Sequence, residues 1–189
     1  MERTRRVGQL VVGCLVLSLG VSLLLNARLG SDGFSTFVNG AAMSTGTDFA
    51  LVNTVMSLAL VAVAWAKGLR PGVGTLVQPV VVGLAVSGLL QVLPRPGHLG
   101  VRVGEMLVGL VVLAVGVAGY LAADLGVGPA EALPIVFDPP VPFQWTYSAL
   151  QVITLAGGWA LGASVGPGTI LVALLVGPLV DRIRPHLQR

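Results

Sequence analysis

Long apolar runs separated by short polar segments dominate the chain. Five runs are each long enough to cross about 30 Å of hydrocarbon as a helix rising about 1.5 Å per residue, and a sixth run is shorter. We therefore predict an all-α membrane protein with about six transmembrane helices. These helices are predicted over residues 7–26, 49–66, 74–93, 103–123, 145–162 and 168–180.

Two further segments, 31–46 and 127–142, are fairly apolar but contain residues that break helices. The first contains three interrupting glycines, Gly33, Gly40 and Gly46. The second contains four interrupting prolines, Pro134, Pro139, Pro140 and Pro142. We predict that each is a short broken or re-entrant segment, which enters the membrane and returns without crossing it.

The basic residues predict the orientation. If both interrupted segments return, the N-terminus, the C-terminus and the loop with Lys67 and Arg70 share one side, which then holds eight of the eleven basic residues. Full crossings would move Lys67 and Arg70 to the far side, beside Arg28, Arg95 and Arg102. The positive-inside rule favours the first arrangement. We therefore expect a multi-pass protein of the bacterial cell membrane with both termini in the cytoplasm.

The two halves of the sequence align with each other. Residues 7–13 match 103–109 at an offset of 96 residues (103 − 7), and after a slip of two residues the offset becomes 94. The matched pairs include Gly20 with Gly116, Leu29-Gly30 with Leu125-Gly126, Trp65 with Trp159, and Gly74-Thr75 with Gly168-Thr169. We predict one membrane domain over 1–189, with repeat one at 7–93 and repeat two at 103–183.

Three spans per repeat is an odd number, so the second repeat must enter the membrane from the opposite face. Inverted repeats with broken helices at matching positions are typical of secondary transporters. A broken helix exposes backbone groups that lipid cannot satisfy, and these groups must be buried in protein or line a polar cavity. Glycines at seven-residue spacing, Gly13 and Gly20 with Gly109 and Gly116, predict close helix packing.

Composition agrees with a membrane protein. Apolar residues make up 54% of the chain and charged residues 10%, against roughly 25% charged in soluble chains, and the mean hydropathy is +0.90. The net charge of +3 comes from residues that flank the apolar runs, and only 5% of residues are aromatic. This pattern argues against a nucleic-acid partner and for the lipid bilayer.

The second half carries the clearest motifs: LGVGPAEAL at 125–133, GWALG at 158–162, GPGT at 166–169 and ALLVGPLV at 173–180. The chain resembles the YczE/YyaS/YitT family of bacterial membrane proteins, and LG at 29–30 and GVGT at 72–75 extend the resemblance into the first half. The resemblance implies a multi-span membrane protein without an established activity. Family members tend to carry an acid where this chain has Ser35, Asp at Glu131, Asn at Gln78 and Glu at Gln151.

Five residues form the predicted substrate site: Asp32, Ser35, Gln78, Glu131 and Gln151. Glu131 follows Pro129 at the start of a short helix, and an ionisable group at membrane depth is a functional candidate. Its alternative is an acid that stabilises a helix start at the membrane surface. Asp32 has the alternative of capping a helix that starts near Gly33. Gln78 before Pro79 has the alternative of a kink satisfied by a neighbouring helix.

Other polar residues, Asn53, Ser57, Tyr147 and Gln151, predict a polar seam where the second and fifth spans meet. We expect no enzyme: the histidines, His98 and His186, lie in polar loop or tail positions, and one cysteine cannot complete a zinc site. We likewise expect no catalytic residues, bound metal or cofactor.

The leading hypothesis is a small-solute transporter or permease. Glu131 would respond to a proton or cation, and the helix starts would face the anionic part of a small molecule. The alternative is a non-transporting accessory protein, acting as a homo-oligomer or with a membrane partner protein to support a biosynthetic or secretory complex.

Overall fold

A computed structural model describes residues 2–187, with side chains from residue 4 onward. Every regular element in this part of the chain is an α-helix. The eight helices are α1 (Glu2–Ala27), α2 (Gly33–Thr45), α3 (Phe49–Ala66), α4 (Val73–Val92), α5 (Leu99–Ala122), α6 (Pro129–Val136), α7 (Phe143–Ala160) and α8 (Pro167–Leu187). The prediction of an all-α protein is confirmed.

Four helices are long and apolar enough to cross a membrane: α1, α3, α4 and α5. Two of the six predicted spans, in α7 and α8, form helices but do not reach the same apolarity. The first half of α7 is rich in polar residues, and α8 runs on to Leu187 through Asp181, Arg182 and Arg184. Six crossings therefore stay a prediction.

Helices α1 and α5 form the antiparallel centre of the bundle. At one end, Arg102 at the start of α5 donates hydrogen bonds of 2.8 Å to the carbonyls of Ala27 and Arg28, where α1 ends. At the other end, Arg6 near the start of α1 lies 4.0 Å from the carboxylate of Asp124, just after α5. Helix α4 packs on α1, and α8 packs on α5.

Glycines allow α1 and α5 to touch backbone to backbone. A Cβ on Gly20 would collide with the backbone of Leu113, and a Cβ on Gly116 would collide with the backbone of Leu17. Gly13 lies in the same way against Tyr120. The predicted packing role of the glycines is confirmed, since small residues bring helices close where lipid offers no hydrophobic drive for association.

Both interrupted segments contain a short helix. Helix α2 has 13 residues and α6 has 8, which corresponds to only about 20 Å and 12 Å of rise. The prediction that Gly40 interrupts the first segment is wrong, because α2 is continuous from Gly33 to Thr45. Gly40 instead faces the backbone carbonyl of Gly158, so its missing side chain lets α2 pack on α7. Pro134 likewise lies inside α6.

Residues that the two halves share make reciprocal contacts. The Gly74 amide donates to the Leu125 carbonyl at 2.8 Å, and the Gly168 amide donates to the Leu29 carbonyl at 2.8 Å. Gly168 and Gly74 are 94 residues apart (168 − 74), and Leu125 and Leu29 are 96 apart (125 − 29), which are the two offsets of the sequence alignment. Each half therefore binds the other through the same pair of positions.

The ends of the bundle separate the basic residues. Gln9 donates to the carbonyl of Leu187 at 2.9 Å, so α8 ends beside the start of α1. The loop with Lys67 leads into α4, whose start is bonded to the end of α5 at this same end. At the opposite end, Arg28, Arg95 and Arg102 line a common pocket of about 320 Å³. Arg6, the Lys67 loop and the end of α8 therefore lie at one end of the bundle, and Arg28, Arg95 and Arg102 lie at the other. The charge count predicts the same division of these residues.

Candidate functional site

A cavity of about 580 Å³ lies among the helices, and all five predicted site residues line it. Asp32 and Ser35 reach it from the start of α2, and Glu131 reaches it from the start of α6. Gln78 lines it from α4 and Gln151 from α7. Residues far apart in the sequence thus share one chamber, because α2 and α6 both begin at it.

Asp32 accepts two hydrogen bonds at the start of α2. Its Oδ2 accepts a hydrogen bond from the Ser35 amide at 2.8 Å, and its Oδ1 accepts one from the Ser31 hydroxyl at 3.1 Å. The first of these is the N-cap bond that satisfies a free helix-start amide. The predicted capping role is confirmed, and the same carboxylate borders the cavity. Asp32 supplies an acid in the first half although Ser35 stands where the family tends to carry one.

Gln151 joins α7 to the start of α2. Its Oε1 accepts from the Phe34 amide at 3.2 Å, and its Nε2 donates to the Tyr147 hydroxyl at 3.3 Å. One amide side chain therefore satisfies a second helix-start amide of α2 and orients an aromatic ring that lines the cavity. The geometry gives Gln151 a positioning role beside the predicted binding role.

Glu131 lies in a cluster of polar groups around Gly128. A Cβ at Gly128 would collide with the Glu131 carboxylate and would approach the Tyr120 hydroxyl at 3.0 Å and the Gln78 Nε2 at 3.2 Å. Only glycine leaves room for these three groups to converge. The charges of Glu131 and Asp32 are close enough to interact, so the starts of α2 and α6 bring two carboxylates into one chamber.

Several buried polar atoms at this cavity make no hydrogen bond of ordinary geometry with the described residues: Gln78 Oε1, the Tyr120 hydroxyl and Thr169 Oγ1. Tyr120 is 2% exposed and lies beside Glu131. Leaving a buried polar group unsatisfied costs about 1–3 kcal/mol. Because these atoms border a chamber, they suit contacts with a polar solute.

The predicted polar seam is also present, but its location differs. Asn53, Ser57, Tyr147 and Gln151 all line the cavity. Helix α3 packs mainly on α4 and α6, and α7 packs mainly on α2. The seam therefore faces the chamber, and α3 and α7 each pack mainly on other helices. Asn53 donates to the carbonyl of Pro79 itself at 2.8 Å, so α3 is bonded to α4 at the proline, while the carbonyl that Pro79 leaves without a helix donor is that of Thr75.

Sequence reasoning missed Tyr120 and Asp181, which also line the cavity. Tyr120 lies in an apolar stretch of α5, where a single hydroxyl attracts little attention. The available signal was that the chain contains only two tyrosines. Asp181 is followed directly by the basic residue Arg182 near the end of α8, where an acid gives little sign of a cavity. Among residues 4–187, no three His, Cys, Asp or Glu side chains come together as a set that would hold a metal ion.

Comparison with known proteins places the chain in a family. The model of a family of unknown function, DUF6198, matches residues 4–185. The chain belongs to this family. It is 27% identical over 177 residues to the uncharacterised membrane protein YczE of Bacillus subtilis, a match that covers 87% of this chain and 79% of that protein. The resemblance drawn from the motifs is confirmed.

Two further relatives are also uncharacterised. The chain is 24% identical over 184 residues to YyaS of Bacillus subtilis, covering 94% of this chain and 92% of YyaS. It is 29% identical over 168 residues to a Haemophilus influenzae protein, covering 88% and 77%. No solved structure matches. The membrane relative YczE and the four apolar helices together make this member of DUF6198 an integral membrane protein in contact with the lipid bilayer.

Proposed function

We propose that this protein is a small-solute transporter or permease of the bacterial cell membrane, with the cavity as its substrate site. One observation carries the proposal: two short helices from opposite halves of the chain, α2 and α6, both begin at the same chamber and bring Asp32 and Glu131 into it. Secondary transporters bind substrates at such breaks, because the interrupted backbone supplies polar groups at membrane depth.

The proposed architecture is an inverted repeat, 7–93 and 103–183, with six crossings and both termini in the cytoplasm. The antiparallel α1 and α5 and the reciprocal bonds of Gly74 and Gly168 support it. Crossings by α7 and α8 are supported by their outer faces. Each of three apolar residues on these faces is more than 60% exposed and lies outside the cavity lining: Ile153, Ile170 and Leu174. Their polar residues, such as Gln151 and Thr169, line the cavity instead.

In this proposal Glu131 is the group whose charge changes during transport. An ionised carboxylate is costly away from water unless a counter-charge compensates it. Binding of a solute or a cation would therefore be coupled to the ionisation of Glu131. Asp32 is less suited to this role, because its capping bonds hold it in place.

Counterflow in proteoliposomes tests the proposal. Solutes that raise the thermal stability of the purified protein are selected first, since a ligand of the folded state stabilises it by mass action. We expect uptake above that of empty liposomes and at least a roughly tenfold slower rate for Glu131→Gln, which corresponds to about 1.4 kcal/mol in the barrier.

Glu105→Gln is the matched control. Glu105 is a part-buried acid that accepts bonds from Asn26 and lies outside the cavity, so this change should leave uptake unaltered. Unaltered uptake by Glu131→Gln would remove Glu131 from the mechanism. No uptake of any stabilising solute, together with a stably co-purifying membrane protein, would favour the accessory role instead.

A further inference from the structure

The charged residues around the cavity are all of one sign. Three carboxylates line it, those of Asp32, Glu131 and Asp181. None of its described lining residues is a lysine, arginine or histidine. Two carboxylates that share a chamber repel each other, and a bound positive charge offsets that repulsion. The electrostatics therefore favour a cation over an anion.

The backbone amides at the starts of α2 and α6 do not offset the negative charge of these carboxylates. The amides of Ser35 and Phe34 already donate to Asp32 and Gln151. In α6, Pro129 has no amide hydrogen, and the Glu131 amide donates to the Gly128 carbonyl at 3.1 Å. These four positions offer an anionic group no free amide hydrogen, because the protein's own acceptors take up three of the amides and the fourth residue is a proline.

An independent feature points to a donor-bearing ligand. Gln78 Oε1 is an acceptor without a hydrogen-bond partner among the described residues, and the buried Tyr120 hydroxyl lies beside the Glu131 carboxylate. Both side chains line the chamber. An amide oxygen, a hydroxyl oxygen and a carboxylate around one space can all accept N–H or polarised C–H groups of an ammonium.

Aromatic rings supply the rest of the wall. Both tyrosines of the chain and three of its five phenylalanines line the cavity: Phe34, Phe49, Tyr120, Phe143 and Tyr147. The rings of Phe143 and Tyr147 stack with their centroids 5.5 Å apart. Aromatic faces attract ammonium groups and also pack against apolar carbon, which an inorganic ion lacks. A chamber of about 580 Å³ has the size of small-molecule sites.

We propose that the cavity binds an organic ammonium cation, with its charged group between Asp32 and Glu131 and its apolar or aromatic body against the rings of Phe34, Phe143 and Tyr147. This inference specifies the substrate class of the proposed transporter and uses the same cavity. Binding does not require transport, so the two proposals can fail separately.

Equilibrium binding to the purified full-length protein in lipid nanodiscs tests the inference. The probes are tetramethylammonium, benzyltrimethylammonium, the neutral isostere neopentylbenzene and the anion benzenesulfonate. We expect benzyltrimethylammonium to bind at least roughly tenfold more tightly than either benzenesulfonate or the neutral isostere. We also expect benzyltrimethylammonium to bind more tightly than tetramethylammonium, which has no aromatic body.

Charge-neutralising variants locate the binding site. Asp32→Asn keeps an N-capping side chain and Glu131→Gln keeps the shape of Glu131, so both proteins should fold. Each is expected to weaken benzyltrimethylammonium binding at least roughly tenfold. Asp48→Asn is the matched control, because Asp48 is an exposed acid that makes no side-chain cap bond and lies outside the cavity. It should bind the cation as the unaltered protein does.

Several results would overturn the inference: no binding of either ammonium probe at millimolar concentration, tighter binding of benzenesulfonate, or affinity unaltered in both cavity variants. Binding of benzyltrimethylammonium without counterflow of any ammonium would leave the inference standing and contradict the transporter. Counterflow of only neutral or anionic solutes would leave the transporter proposal standing and contradict the inference.

Discussion

Alanine at Gly116 is expected to lower the free energy of unfolding by about 1–3 kcal/mol. The added methyl group would collide with the backbone of Leu17, and backbone cannot move aside as the end of a flexible side chain can. Helices α1 and α5 would have to separate, and they form the centre on which α4 and α8 pack. Thermal unfolding of the purified protein in detergent measures the effect.

The control for this substitution is on the same helix. Gly104 has nothing within 4 Å of the position where a Cβ would lie, so Gly104→Ala adds the same atom without a collision. We expect it to be neutral or to stabilise α5 by up to about 1 kcal/mol, because alanine is the better helix former. Equal stability of the Gly116→Ala and Gly104→Ala proteins would show that α1 and α5 do not touch at these glycines.

The loops that follow α1 and α5, each of which contacts the other half of the chain, should be equally sensitive. Gly30 has φ +105°, and a Cβ there would collide with the Thr169 side chain. Gly126, 96 residues later (126 − 30), has φ +128° and lies against Thr75, the counterpart of Thr169. We expect Gly30→Ala and Gly126→Ala each to cost about 1–2 kcal/mol for the backbone conformation and about 1–3 kcal/mol more for the collision.

Gly68→Ala separates these two causes. Gly68 also has a positive φ, +103°, but nothing lies within 4 Å of its added Cβ. Gly68→Ala should therefore lower the free energy of unfolding only by the cost of the backbone conformation. In thermal unfolding, the Gly30→Ala and Gly126→Ala proteins should be well below the Gly68→Ala protein in stability. A large effect at Gly30 with none at Gly126 would contradict the equivalence of the two loops.

The helices were largely predictable because lipid imposes a simple rule. A span needs about 20 apolar residues, so the run 49–66 predicts α3 with the bounds it has. The same rule is weaker for α7, since one of its faces lines a chamber and carries polar residues such as Gln151. The mean hydropathy of a sequence window averages the residues on both faces of a helix. A membrane-spanning helix that borders a polar cavity therefore has a lower mean hydropathy than one that is apolar on all sides.

The interiors of the interrupted segments were less predictable. Glycine lowers helix propensity, so Gly40 reads as a break in the sequence. In the structure it is the contact that lets α2 approach Gly158. Local propensity gives no information about a partner helix more than 100 residues away, and the gain from close packing decides the conformation.

The five residues of the predicted site, Asp32, Ser35, Gln78, Glu131 and Gln151, all line the cavity, but the sequence did not predict its geometry. Matched breaks and isolated polar residues identified Asp32, Gln78, Glu131 and Gln151. Their convergence depends on α2 and α6 starting at one chamber, which only the tertiary contacts reveal. The proposed preference for a cation was also hidden, because it depends on which helix-start amides the protein's own side chains already satisfy.

Cysteine accessibility tests most directly the central claim that two short helices turn back inside a bundle of antiparallel halves. Cys14 is the only cysteine and is buried in α1, so a Cys14→Ser background allows single cysteines at Lys67 and Gly97. Both positions are exposed, and α4 separates them. The account predicts that a membrane-impermeant maleimide labels Gly97→Cys in intact cells and Lys67→Cys only after the membrane is permeabilised. Labelling of Lys67→Cys in intact cells would contradict it.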